Sequence, residues 1–206
     1  MSYREFTLPE LQRRFSLVIA EEEDLFGGEE EIVPSTLLSE TLAENTPLAL
    51  AINTEKARSE LIVMPVLMEL RRQVNRQISL FSGIEFDVDS TRGLSGFCDF
   101  IISRSTQQLV LCAPIITLVE AKNDNIKSGL AQCIGEMMAA KIFNERENNP
   151  LPAVHGVVTT GSIWKFLRLT ANQVRIDQTE YYLESVGRIL AILKRIVLET
   201  PLSERN

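Results

Sequence analysis

The segment ITLVEAK, residues 116–122, constrains the fold more than any other part of the chain. Its interior is apolar at successive positions, so both faces of a strand built from it must be covered, as in a central strand with helices on either side. Yet it ends in two charges, Glu120 and Lys122. Strand side chains alternate with a period of two, so both project to one face, separated by Ala121. They can act on one ligand. The plainer alternative is a Glu–Lys surface pair at a strand end, which contributes little.

A second charge in an apolar strand lies upstream. GFCDFII sets Asp99 among Phe97, Cys98, Phe100 and Ile101. A bare carboxylate buried there is expensive and has to be paired, protonated or bound to metal. If the two strands are neighbours, Asp99 and Glu120 converge on one hard cation, with the Ala121 carbonyl as a further donor. Mg²⁺, with Mn²⁺ as a substitute, suits a set of one or two carboxylates because it keeps several waters. Lys122 then has a role that neither carboxylate can fill: its ammonium orients the water or stabilises charge growing on phosphoryl oxygens. Hydrolysis is the chemistry implied.

The surrounding pattern is that of an α/β protein. Thr7 and Ser35 cap short helices through Leu11 and Ala43, and Thr54 caps a longer one that Pro65 kinks or divides. From Ile78 the period changes: ISLFSG, IEFDVD, GFCDFIIS and residues 109–121 are short, rich in Ile, Val and Phe, and predict strands. A helix is expected over 126–144, two strands (AVHGVVTT and IWKFLRL) around a Gly161-Ser162 turn, and an amphipathic helix over 182–198. The division expected is an N-terminal helical extension with an acidic loop, 1–53, followed by one domain, 54–206.

Charge and cysteine content exclude several classes. A net charge of -7 argues against coating nucleic acid by bulk electrostatics, but EEEDLFGGEEE, residues 21–31, alone carries seven acids and reads as a solvated loop. Cys98, Cys112 and Cys133 lack the spacing of zinc or redox sites and read as buried free thiols. A single histidine, His155, makes a His-rich zinc site or a catalytic triad a poor fit, and a structural role is expected. The absence of a secretory leader before Glu21 points to the cytoplasm, and no apolar stretch reaches the ~20 residues of a membrane span.

Asp99 followed by Glu120-Ala121-Lys122 resembles the PD-(D/E)XK nuclease superfamily, and VEAKNDNIKSGLAQCIGEM, SLFSG, GLSGFCDFIIS and GVVTTGSIWKFLRL look like an uncharacterised bacterial family within it. The resemblance spans roughly residues 55–170. It implies a restriction-endonuclease-like three-layer core, a mixed central β-sheet flanked by helices. It also implies a Mg²⁺-dependent endonuclease acting on nucleic acid, DNA foremost. Gln132 on the following helix would support the site, and Glu60 on the preceding helix would supply a further acid. Cys98 stands where the name-giving proline would be, and Glu136 where one branch carries an aromatic.

Two rival readings stay open: a nuclease-like module with little or no turnover, binding nucleic acid or protein, and a glycosidase acid/base pair. Aromatics make up only 6% of residues, too few for a typical sugar cleft. Trp164, Phe166 and Leu167 are expected in the core rather than as a stacking surface. The Thr159–Ser162 segment suggests a hairpin turn, and Lys127, Lys165 and Arg168 are candidate backbone contacts only if they border the metal site. The apolar excess in 61–68 and in the last helix suggests a homodimer.

Overall fold

All seven residues of β4 (Ile115–Ala121) are buried, as a strand apolar on both faces requires. A computed structural model describes residues 2–22 and 24–199. In it β4 lies inside an eight-stranded mixed sheet with β1 (Val18–Glu22), β2 (Ser79–Glu85), β3 (Phe97–Ser103), β5 (Val154–Thr159), β6 (Ile163–Thr170), β7 (Gln173–Asp177) and β8 (Tyr181–Tyr182). The order is β1-β7-β6-β5-β4-β3-β2, with β8 paired to β6. β4–β5 and β1–β7 are parallel, and the other pairs are antiparallel.

Two hydrophobic cores sandwich the sheet. On one face, α2 (Thr36–Ile52), α4 (Met64–Gln73) and α6 (Val186–Glu199) bring Leu38, Leu67 and Ile189 against Phe100, Val119 and Phe166. On the other, α1 (Leu8–Phe15) and α5 (Ile126–Arg146) bring Leu11, Cys133 and Met137 against Ile101, Leu118 and Val158. The helix-sheet-helix layering expected of an α/β chain is therefore present.

Several local expectations change. Segments within the first 53 residues join both cores and the sheet: β1 pairs with β7, Tyr3 and Leu11 enter one core, and Leu38 enters the other. The acidic run is not wholly a solvated loop. Glu21 and Glu22 end β1, and Phe26 is buried beside His155 and Phe166, at 6.1 and 5.5 Å between ring centroids. SLFSG and the first two residues of IEFDVD form one strand, β2, with Gly83 at φ +62 inside it, and the rest of IEFDVD lies outside the strand. Of residues 109–121 only β4 is strand. Leu109 and Val110 are exposed in the preceding loop, and Cys112 is half-buried, unlike Cys98 and Cys133.

The helix from Thr54 is divided near Pro65 as expected. α3 (Glu55–Arg58) passes through a π turn (Ser59–Val63) into α4. Proline cannot donate to the carbonyl four residues back. That carbonyl, of Leu61, instead accepts from Asn45 Nδ2 at 3.1 Å.

Much of the apolar surplus behind the homodimer expectation is buried within the chain, while Met68 and Leu198 stay exposed. Ile62, Val63, Val66 and Leu67 are fully buried, as are Ile189, Leu190, Ile192 and Ile196 of α6. Among the described residues no helix is long and apolar enough to cross a membrane.

Candidate functional site

Strand register brings the expected carboxylates together. The pair Phe100↔Val119, continued by one residue, sets Asp99 opposite Glu120 across β3 and β4. Ser82↔Phe100 and Ile84↔Cys98 bracket Gly83 opposite Asp99, and Glu120 pairs with Val158. Glu120 and Val158 lie on the face covered by α5, whereas Asp99 and Gly83 line a cleft with Glu55 and Ser59 beside α3.

Side-chain contacts tie Glu120 to the helix. Lys122, just beyond β4, donates its backbone N–H to the Thr159 carbonyl at 2.7 Å. Its Nζ donates to Glu120 Oε1 at 2.5 Å and to Gln132 Oε1 at 3.3 Å. Gln132 Nε2 donates to Glu120 Oε2 at 2.8 Å and to Glu136 Oε1 at 3.1 Å. Asp99 Oδ2 accepts the Ala121 N–H at 2.8 Å. Four of the expected residues, Asp99, Glu120, Lys122 and Gln132, therefore meet in one place, with Ala121 between them.

Glu60 is not among them. Its side chain is 60% exposed and pairs with Lys56 at 2.6 Å, at the outer wall of the cleft. Glu55, one and a half turns earlier, stands 3.6 Å from Lys122 Nζ instead. The apolar helix left the phase of Glu60 undefined, and the π turn between Ser59 and Val63 alters it further.

Glu136 is the second acid not anticipated in the site. Fully buried, it lies four residues after Gln132 and so on the same helical face, and among the described residues its Oε2 has no hydrogen-bond partner. An acid within the apolar run Ile134–Met138 carried the same signal as Asp99.

Gly129, on the same stripe, lets α5 approach the sheet. A Cβ there would sit 2.6 Å from Val158 Cγ1 and 3.2 Å from Lys122 Cε.

The electrostatics are those of buried carboxylates. Burial first, then the Asp99 charge, push Glu120 up to about 7 against the pull of Lys122. Burial, then the Glu120 charge, hold Glu136 well above the ordinary range. Burial also raises Asp99, although the Ala121 N–H and Lys122 oppose it. Burial disfavours the Lys122 ammonium, but the charge and hydrogen bond of Glu120 outweigh that and raise it.

Donor chemistry and charge fit a divalent cation. Burial is the largest cause of the raised proton affinity of Asp99, Glu120 and Glu136, with their mutual charges adding to it at Glu120 and Glu136. Among the described residues no three His, Cys, Asp or Glu side chains are arranged to hold a metal ion. A cleft of about 240 Å³ opens on Asp99 and Ala121 from between β2 and α3.

The other candidates fall outside the site. Trp164 is buried and donates Nε1–H to the Gly161 carbonyl at 2.9 Å, closing the β5–β6 hairpin. Arg168 pairs in register with His155, with Thr117 of β4 next in that row, so it occupies the face opposite Glu120. Lys165 shares the Glu120 face through Val158 but donates to the Gln178 carbonyl, and Lys127 is exposed in the first turn of α5. His155 is buried, and burial pushes it down to about 3, so it is neutral and structural.

The sequence matches no protein-family model and no curated protein.

Proposed function

We propose that this chain is a Mg²⁺-dependent phosphodiesterase acting on nucleic acid, DNA foremost, with the core of a PD-(D/E)XK nuclease. The observation that carries this reading is the convergence of Asp99, Glu120 and Lys122 at the end of a buried strand. Asp99, Glu120 and the Ala121 carbonyl would hold the ion, which when bound supplies an acidified water and a Lewis acid for the phosphoryl oxygens. Lys122 would turn its ammonium from Glu120 toward the phosphate and stabilise the charge that develops there. Gln132 fixes the Glu120 carboxylate by donating to Oε2. Glu55 also pairs with Lys122, at 3.6 Å.

Incubating the pure protein with single- and double-stranded DNA and RNA, with Mg²⁺ or Mn²⁺, tests the proposal. Cleavage should fall by about 100-fold or more in Lys122→Ala, the scale of losing one transition-state donor. Equal trace cleavage by both proteins would count against catalysis.

A second reading has an observation of its own: Lys122 already engages Glu120 and Gln132, so the site is partly neutralised from within. On that reading the chain is a nuclease-like module that binds nucleic acid or protein without turnover. Binding of DNA with no cleavage in either metal would favour it.

A further inference from the structure

The route to Asp99 crosses the edge of the sheet. β2 is the last strand in the sheet order, and its Gly83 stands across from Asp99. Gly83 has φ +62, a left-handed conformation that side chains rarely adopt, and no atom lies within 4 Å of a Cβ built there. It is exposed, and it lines the same cleft as the half-buried Asp99. The cleft runs from Ser82 and Gly83 to Ser59 and Glu55. Its volume of about 240 Å³ falls below the ~300–1,000 Å³ that enclose a drug-sized ligand. No aromatic side chain lines it, so it offers no platform on which a base could stack.

We infer that Gly83 is the saddle over which a polynucleotide backbone reaches Asp99, so that it determines whether the site accepts a chain or only a small diester. This rests on the phosphodiesterase reading above. The cleft takes one phosphodiester linkage with parts of its sugars, and the bases stay outside, so recognition runs through the backbone and is indifferent to sequence. Glycine at φ +62 also serves the local backbone, and the test must separate the two roles.

Gly83→Asn tolerates the left-handed conformation while filling the saddle. Ser82→Tyr fills it from the exposed neighbouring position, where no positive φ is involved. Cleavage of mixed-sequence DNA and of bis(p-nitrophenyl) phosphate is measured with Mn²⁺, and Mn²⁺ binding is followed by calorimetry as a check on folding.

The expected result is a ratio of DNA to small-diester cleavage about 100-fold lower in each variant, with Mn²⁺ still bound and wild-type cuts spread over all sequences. A wild-type ratio in both variants, or equal loss on both substrates, overturns the inference and leaves Gly83 a backbone role. Cuts confined to one sequence overturn the backbone-only recognition. Wild-type protein that cleaves neither substrate overturns the phosphodiesterase reading itself, a result seen before any variant is made.

Discussion

Raising the pH of the metal-free protein should cost folding free energy at Glu120. The carboxyl moves from an ordinary value of 4.5 when unfolded to about 7 when folded, because burial and Asp99 disfavour its charge. Between those values the folded state holds a proton that the unfolded state has released, so stability falls as pH rises. The contribution is fully present below pH 4.5 and gone above about 7. A difference of about 2.5 at ~1.36 kcal/mol per pH unit makes it roughly 3 kcal/mol. The side chain is 1% exposed, so solvent screening takes little from that figure.

Glu120→Gln removes the titration. It also leaves Lys122 with fewer partners, but that cost is constant across the window because the ammonium stays charged. His155 has the opposite sign, so the quantity to follow is wild type minus variant at each pH. Urea unfolding read by the single, buried Trp164 supplies both curves. The difference should fall by roughly 3 kcal/mol from pH 4.5 to 7, and saturating Mg²⁺ should offset the fall. Parallel curves would refute the raised proton affinity assigned to the buried Glu120 carboxyl.

Three further expectations follow from the same contacts. Gly129→Ala should destabilise by ~1–3 kcal/mol in urea and reduce cleavage, since its Cβ would press on Val158 and Lys122; unchanged stability would mean that α5 gives way freely. His155 is neutral when folded, with burial lowering it from 6.5 to about 3, so its unfolded form binds more protons in that range and acid destabilises the fold. His155→Gln should flatten stability against pH between those values, and an unchanged acid limb would argue against the buried assignment. Glu60→Ala, which loses an exposed pair, should change stability by ~0.2–1 kcal/mol and leave cleavage intact, whereas Glu55→Ala should slow cleavage by freeing Lys122. The reverse ranking of the two would restore Glu60 to the site.

The sheet centre was legible because β4 is apolar on both faces, and Asp99, Glu120 and Lys122 stood out as charges within or ending apolar strands. Gln132 came from a resemblance, and its hydrogen bonds to Glu120 and Glu136 now give it a physical role. Glu136 carried the same signal as Asp99, an acid inside an apolar run, but helical spacing surrounds it with core residues that mask it. Glu55 was hidden for another reason: it opens a charged turn, EKAR, that reads as solvated, and a π turn separates it from the apolar stretch that follows.

At the sheet's other edge, β1 merges into the acidic run, and only pairing with β7 makes VIAEE a strand. β7, QVRID, is too short to announce itself. The close approach of α6 to the loop at Ile32 depends on Gly187, where a Cβ would lie 2.4 Å from the Ile32 carbonyl, a tertiary fact with no local trace.

Titration calorimetry with Mn²⁺ tests the central claim most directly, because it asks whether Asp99 and Glu120 share a cation without requiring turnover. Wild-type protein should bind Mn²⁺, and the binding heat should vanish in Asp99→Ala. No binding by wild type, or an identical titration by Asp99→Ala, would contradict the claim.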